Sequence, residues 1–343
     1  MRRIALVLIQ SVLIGFGMTS CSARPPLSGS QRITSANAGS VQLLKTLTIP
    51  GYTKGAVSQS SIAFSPDGRL LVGACGINQV PIWDVQSGVV RHLFYDGTQQ
   101  IVACAFSPDG KFIACGGFDQ TITFWDASTG QKVRNLGSTE SPVWELGFSA
   151  DGKKLVSCTV LDDIRLWDVA QNTMIWSYGT TKGFLSICFD PRATTIAYGG
   201  RWGGAGIIDT VSGKLIMALN GPQNPVGDVT YNPSGTLVAA GADDYSIYLW
   251  GVGTPQPIAV LTGHAGYVNG VSFSPDGMLL ASGSHDGTVG IWDVAGHTRL
   301  ATLEGHQDAV LRVAFSPDGT KIASISWDGT VRLWGCPDCG TGS

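Results

Sequence analysis

An all-β protein made of seven copies of one four-stranded unit is what this sequence predicts, and three observations carry the prediction. The pentapeptide Phe-Ser-Pro-Asp-Gly begins at Phe64, Phe106, Phe273 and Phe315, and related segments begin at Phe148, Phe189 and Tyr231. Successive starts are 42, 42, 41, 42, 42 and 42 residues apart. A second register, Trp83, Trp125, Trp167, Ile208, Trp250, Trp292 and Trp334, repeats with the same spacings. Finally, 46 glycines and 10 tryptophans with only 14% charged residues describe a chain of tight turns and short apolar strands rather than helices.

Residues 1–20 are expected to be a signal peptide. Met1-Arg2-Arg3 is basic, and Ile4 to Met18 forms an apolar stretch of 15 residues. That is shorter than the roughly 18 residues a spanning helix needs. The following Met18-Thr19-Ser20-Cys21 resembles the bacterial lipobox, which implies a lipid on Cys21 and a protein held on the extracytoplasmic face of a membrane. The alternative is cleavage after Ala23, leaving a secreted or periplasmic soluble protein. Residues 21–40, rich in Ser, Ala, Gly and Pro, are expected to be a flexible tether.

The repeats occupy residues 41–335. In Ser-Pro-Asp-Gly, proline presets the second turn position, aspartate tolerates the third, and glycine takes the angles after it, so each copy marks a hairpin. Around one copy, Val268 to Phe273, Leu279 to Gly283, Thr288 to Trp292 and Arg299 to Leu303 are short alternating or β-branched runs, giving four strands per unit. A single such sheet cannot bury both faces. Seven stacked radially can, which is a seven-bladed β-propeller of four-stranded antiparallel blades. The last copy supplies three strands, and Leu44-Lys45-Thr46-Leu47 resembles Leu300-Ala301-Thr302-Leu303, so the N-terminal strand is expected to complete the C-terminal blade. A five-residue insertion is expected near Pro50 to Gly55. Residues 336–343 form a tail with a Cys-x-x-Cys, Cys336 and Cys339.

Four of the tryptophans precede Asp84, Asp126, Asp168 and Asp293, and two Gly-His pairs, at Gly263 and Gly305, each lie nine residues before the hairpin phenylalanine. With the seven hairpins, these features make residues 41–335 resemble the WD-repeat family. The resemblance implies a buried His, Ser, Asp and Trp relay inside each blade. Copy six has His264, Ser282, Asp286 and Trp292, and copy seven has His306, Ser324, Asp328 and Trp334. The relay is degraded elsewhere, with Cys115 at the serine position of copy two and Leu161 at the aspartate position of copy three, and copy four lacks it. Ser, His and Asp recurring at one register in consecutive copies are structural rather than a hydrolase triad.

Composition and motifs narrow the function. A net charge of −3, or −5 once Arg2 and Arg3 leave with the leader, gives no footprint for nucleic acid or an anionic surface. The run Gly199 to Gly206 lacks the context of a phosphate loop, five dispersed histidines show no metal site, and no cofactor is expected. Cys75, Cys104, Cys115, Cys158 and Cys188 fall in strand registers, where cysteine acts as a small apolar side chain. Cys336 and Cys339 are expected to be a local disulfide or an inert tail rather than a redox pair. The expectation is a non-catalytic scaffold, a monomeric propeller binding a protein or peptide, with an exported propeller enzyme as the alternative. Register with the family places Phe118, Arg201, Trp202, His285 and Trp327 on the partner-binding face, with Trp144, Tyr267 and Asn269 beside them.

Overall fold

The Ser-Pro-Asp-Gly segments turn the chain where the repeat spacing puts them. In the sixth copy the Ser274 hydroxyl donates to Asp276 Oδ1 at 2.6 Å, the Gly277 amide donates to the Ser274 carbonyl at 2.8 Å, and Gly277 takes φ +73°. Glycine is favoured there because a Cβ disfavours the left-handed region. The fold is that of a computed structural model describing residues 31–52, 60–74, 78–95, 100–159, 163–180 and 183–337. The expected signal peptide, Cys21, Cys75 and Cys339 lie outside the described residues.

Each hairpin joins the first two strands of a blade, and the described strands form seven four-stranded antiparallel sheets. Strands are lettered a to d from the centre outwards. The a strands are Ser61–Phe64, Ile101–Phe106, Val143–Phe148, Phe184–Phe189, Val226–Tyr231, Val268–Phe273 and Val310–Phe315. Each packs against the next, and the first packs against the last, so the ring is closed around a channel. Hairpins between a and b occupy one face of the disc. The b–c and d–a loops occupy the other, called here the loop face.

Closure uses the N-terminal strand. Gln42–Thr48 pairs antiparallel with Thr330–Gly335 and completes the sheet of Val310–Phe315 and Lys321–Ser326. Leu47 lies opposite Val331, as Leu303 lies opposite Val289 one blade earlier. This is the seven-bladed all-β propeller that the sequence predicts, closed as predicted. Of the expected insertion, Pro50 to Tyr52 are described, and residues 53–59 lie outside the described set.

The core lies between blades rather than within them. Trp83, Trp250, Trp292 and Trp334 are among the largest fully buried side chains, each closing a seam against aliphatic residues of a neighbouring sheet. Burial of such side chains, at roughly 25 cal/mol per Å² of apolar surface, is the main force holding blade to blade.

One expectation is corrected. Residues 32–40 do not belong to a free tether. The Ile33 amide donates to the Gly319 carbonyl at 2.8 Å, Ile33 and Ala38 are completely buried, and Ala38–Ser40 form a 3-10 turn against the outer strand of blade six. Two apolar side chains in an otherwise polar segment are enough to dock it across the underside of the hairpins.

Candidate functional site

The relay residues sit where the blades need internal support. In blade six the Trp292 indole N–H donates to Ser282 Oγ at 2.7 Å, Ser282 Oγ meets His264 Nε2 at 2.7 Å, and His264 Nδ1 meets Asp286 Oδ2 at 2.8 Å. An ionised aspartate only accepts, so His264 donates from Nδ1 and receives the serine proton at Nε2. Blade seven repeats this with Trp334, Ser324, His306 and Asp328 at 2.8, 2.7 and 2.8 Å. Burial raises the Asp286 and Asp328 carboxyls, but hydrogen bonds from the histidine, a threonine hydroxyl and a backbone amide outweigh it and hold both well below the carboxylate range. Both histidines are buried, and every polar group in the two relays is satisfied within its own blade.

The other blades substitute for the relay. Trp167 of blade three donates to Ser157 Oγ at 2.9 Å, and Trp250 of blade five donates to the Asn220 carbonyl at 2.9 Å. In blade two the Trp125 indole N–H is buried without a partner among the described residues, and its ring stacks on Phe94 at 4.9 Å. Blade four places Tyr198 at the serine register, packed against Phe184 at 5.2 Å and bordering a cleft with Thr180, Gly204, Asn220 and Gln223.

On the loop face, aromatic side chains form an arc over blades five to seven. Tyr245 meets Tyr267 at 5.6 Å, Tyr267 meets His285 at 5.2 Å, and His285 meets Trp327 at 5.1 Å. The Tyr52 hydroxyl donates to the Trp327 carbonyl at 3.0 Å, which extends the arc to the chain segment leading into blade one. Tyr245 and Tyr267 are exposed, His285 and Trp327 are partly buried, and burial lowers the His285 pKa. Asn269 bonds the His285 ring through its side chain. Phe118 and Trp144 form a separate edge-on pair at 6.3 Å, and the Arg201 guanidinium lies 5.6 Å from the Trp202 ring. Trp202 is 68% exposed. Trp144 instead packs partly against the core between blades three and four. The structure thus joins Tyr267, Asn269, His285 and Trp327 in one contact chain, and leaves Phe118 with Trp144 and Arg201 with Trp202 as two further pairs.

Beneath this arc lies a constellation that sequence reasoning missed. Three residues before each hairpin aromatic, the seven a strands carry Ser61, Ala103, Glu145, Ser186, Asp228, Gly270 and Arg312. Small residues in blades one, two, four and six leave room for long charged ones in blades three, five and seven. Arg312 Nη2 lies 3.6 Å from Glu145 Oε2, Arg312 Nε lies 4.0 Å from Asp228 Oδ2, and Arg312 Nη1 donates to the Asn269 carbonyl. A Cβ on Gly270 would stand 2.7 Å from the Arg312 Cα, so only glycine lets these two strands approach.

Asp228 accepts from Ser186 Oγ at 3.0 Å and from the amides of Val229 and Val271 at 2.9 and 2.8 Å. Glu145 accepts from the Ile187 amide at 3.3 Å, and its side chain remains 20% exposed. Burial raises both carboxyls and Arg312 opposes it, with Asp228 adding to the rise at Glu145. Two carboxylates share one guanidinium, and the raised Glu145 carboxyl lets the triad balance its charge by holding a proton. The signal was present as charges separated by 83 and 84 residues, two blades each, but each lies alone in its own repeat.

The cysteines divide by environment. Cys104, Cys115 and Cys158 are buried and in no disulfide, Cys188 is partly buried and likewise in none, and burial pushes the Cys104 thiol up to about 12. Cys336 is buried and disulfide-bonded, with its partner outside the described residues.

Seven radial sheets closed by a shared blade, with complete Trp-Ser-His-Asp relays in two of them, define a repeat propeller that presents loops on one face. A family model described as WD domain, G-beta repeat (WD40) matches residues 42–84, 89–126, 130–168, 213–251, 255–293 and 297–335. The chain belongs to the WD-repeat family. The internal gap at residues 169–212 takes in the three inner strands of blade four, where Ile208 replaces tryptophan and Tyr198 replaces serine. No curated protein matches the chain.

Proposed function

We propose that this propeller is a non-catalytic scaffold that docks a protein or peptide on its loop face, held on the outer side of a bacterial membrane by a lipid on Cys21. WD-repeat propellers commonly serve as protein-interaction scaffolds. The observation that carries the reading here is the arc from Tyr245 through Tyr267 and His285 to Trp327, a run of touching aromatic rings with exposed members. Aromatic side chains of this kind carry binding energy when a partner covers them. The carboxylates of the channel triad are bonded to Arg312 and to strand amides, which favours a structural use for them over acid-base chemistry. The docking reading is tested by substituting loop-face aromatics and measuring affinity for a partner isolated from the native membrane fraction.

The anchor rests on the leader sequence and on Cys21 at its end. Stable attachment takes at least two acyl chains, each buried CH₂ contributing about 0.8 kcal/mol. Wild type is expected in the membrane and detergent phases, and Cys21→Ser is expected uncleaved or released as a soluble exported protein. A freely soluble wild type whose mature N-terminus lies beyond Cys21 overturns the anchor.

A further inference from the structure

The chemistry around the aromatic arc points to the sign of its partner. The described residues of the b–c and d–a loops, outside the two relays, carry Asp119, Glu140, Asp243, Asp244, Glu304 and Asp308 against Arg201, and of these Glu140 lies 3.8 Å from the strand residue Arg165. The hairpin face provides the contrast, since Asp67 and Asp109 there pair with Arg69 and Lys111 of their own turns.

Asp243 is the informative member. It is partly buried in the same turn as Tyr245, and among the described residues its carboxylate has neither a hydrogen-bond donor nor a cation. Burial raises its pKa and neighbouring Asp244 raises it further, while Asp244 itself accepts the Tyr248 hydroxyl at 2.6 Å. At the other end of the arc, the charge of Asp308 acts on the His285 ring. The rings between these carboxylates present π faces, which attract cations and gain strength as water is excluded. A half-desolvated carboxylate without a partner is costly until a cation arrives.

We propose that the arc formed by Asp243, Tyr245, Tyr267, His285, Trp327 and Asp308 receives a lysine or arginine side chain from a basic segment of the docked protein. This rests on the loop face being the docking face, and it adds the charge of what docks. The contact would pair Asp243 with the incoming cation while Tyr245 and Tyr267 cover its stem.

The test uses the full chain and three fluorescein-labelled dodecapeptides, (Lys-Gly)6, (Ser-Gly)6 and (Glu-Gly)6, followed by fluorescence anisotropy at low and physiological salt. The expected result is that (Lys-Gly)6 binds at least tenfold more tightly than either other peptide. Asp243→Asn and Tyr245→Ala should each weaken it threefold or more, while Asp109→Asn and Asp151→Asn on the hairpin face leave it unchanged. Thermal melts of all four variants control for folding. Equal losses from hairpin-face variants, or no binding of (Lys-Gly)6, overturn the inference. If a neutral or acidic peptide binds best yet loses affinity on Trp327→Ala, the docking face stands and its cationic chemistry is wrong. If no loop-face variant alters any peptide, the docking face itself fails.

Discussion

Glu145 meets Arg312 at 3.6 Å among the inner strands, where a second carboxylate, Asp228, is already bonded to three donors. Burial first, then Asp228, raises the Glu145 carboxyl against the pull of Arg312, to about 8 from an ordinary 4.5. The groups facing it are Arg312 and Asp228 from the a strands of blades seven and five, Ser186 from blade four, and Cys158 from its own blade. A proton held by the folded state and released by the unfolded one stabilises the fold. That contribution is complete below about 4.5 and is lost as pH rises through about 8. The relay aspartates act in the opposite sense, because their depressed pKa values cost stability as pH falls through the carboxylate range. Wild type should therefore melt at a lower temperature at pH 9 than at pH 6, and Glu145→Gln should narrow that gap while keeping the fold. Equal wild-type melts at both pH values, or an undiminished gap in Glu145→Gln, contradict the assignment.

Residue chemistry was legible in the sequence where it repeats and hidden where it does not. The relays of blades six and seven could be named because the family resemblance implies them and both copies carry all four members, His264 being matched by His306 42 residues on. Glu145, Asp228 and Arg312 share a register yet differ in type, so neither sign nor side chain repeats, and only ring closure brings them together. The replacement of a relay by Tyr198 in blade four was equally opaque, since a lone tyrosine in a strand gives no sign of the cleft it borders.

At the scale of elements, hairpins and strands followed from turn chemistry and alternation, and the shared blade followed from the likeness of Leu44–Leu47 to Leu300–Leu303. Docking of residues 32–40 did not, because Ser, Asn and Gly dominate that segment and only Ile33 and Ala38 anchor it. The strand Gln42–Thr48 covers the edge of Thr330–Gly335, and Leu47 and Ile49 enter the core between blades seven and one. Deleting residues 41–48 should expose an unpaired strand edge, which invites association between chains. The expected outcome is insolubility or loss of cooperative melting, read by solubility and calorimetry. An unchanged melt contradicts closure by this strand.

At the scale of the molecule, the ring separates its two faces by chemistry. Hairpin turns carry Ser-Asp bonds and local ion pairs that satisfy themselves, as Ser107 with Asp109 and Lys111 with Asp109 do. The loop face keeps exposed aromatics, an unpartnered Asp243 and the 68% exposed Trp202. Two faces so different in unspent binding capacity support the proposed docking on the loop face, and the regular relays beneath it hold the loops in place. The most direct measurement is the affinity of a partner isolated from the native membrane fraction for four variants, with melting temperatures measured alongside. Trp327→Ala and Trp202→Ala should each weaken binding at least tenfold, about 1.4 kcal/mol, without lowering the melting temperature, while Lys111→Ala and Lys153→Ala on the hairpin face change neither. Loss of the partner in the Lys111 or Lys153 variants, with retention in Trp327→Ala and Trp202→Ala, would place the docking site on the opposite side of the disc and contradict the account.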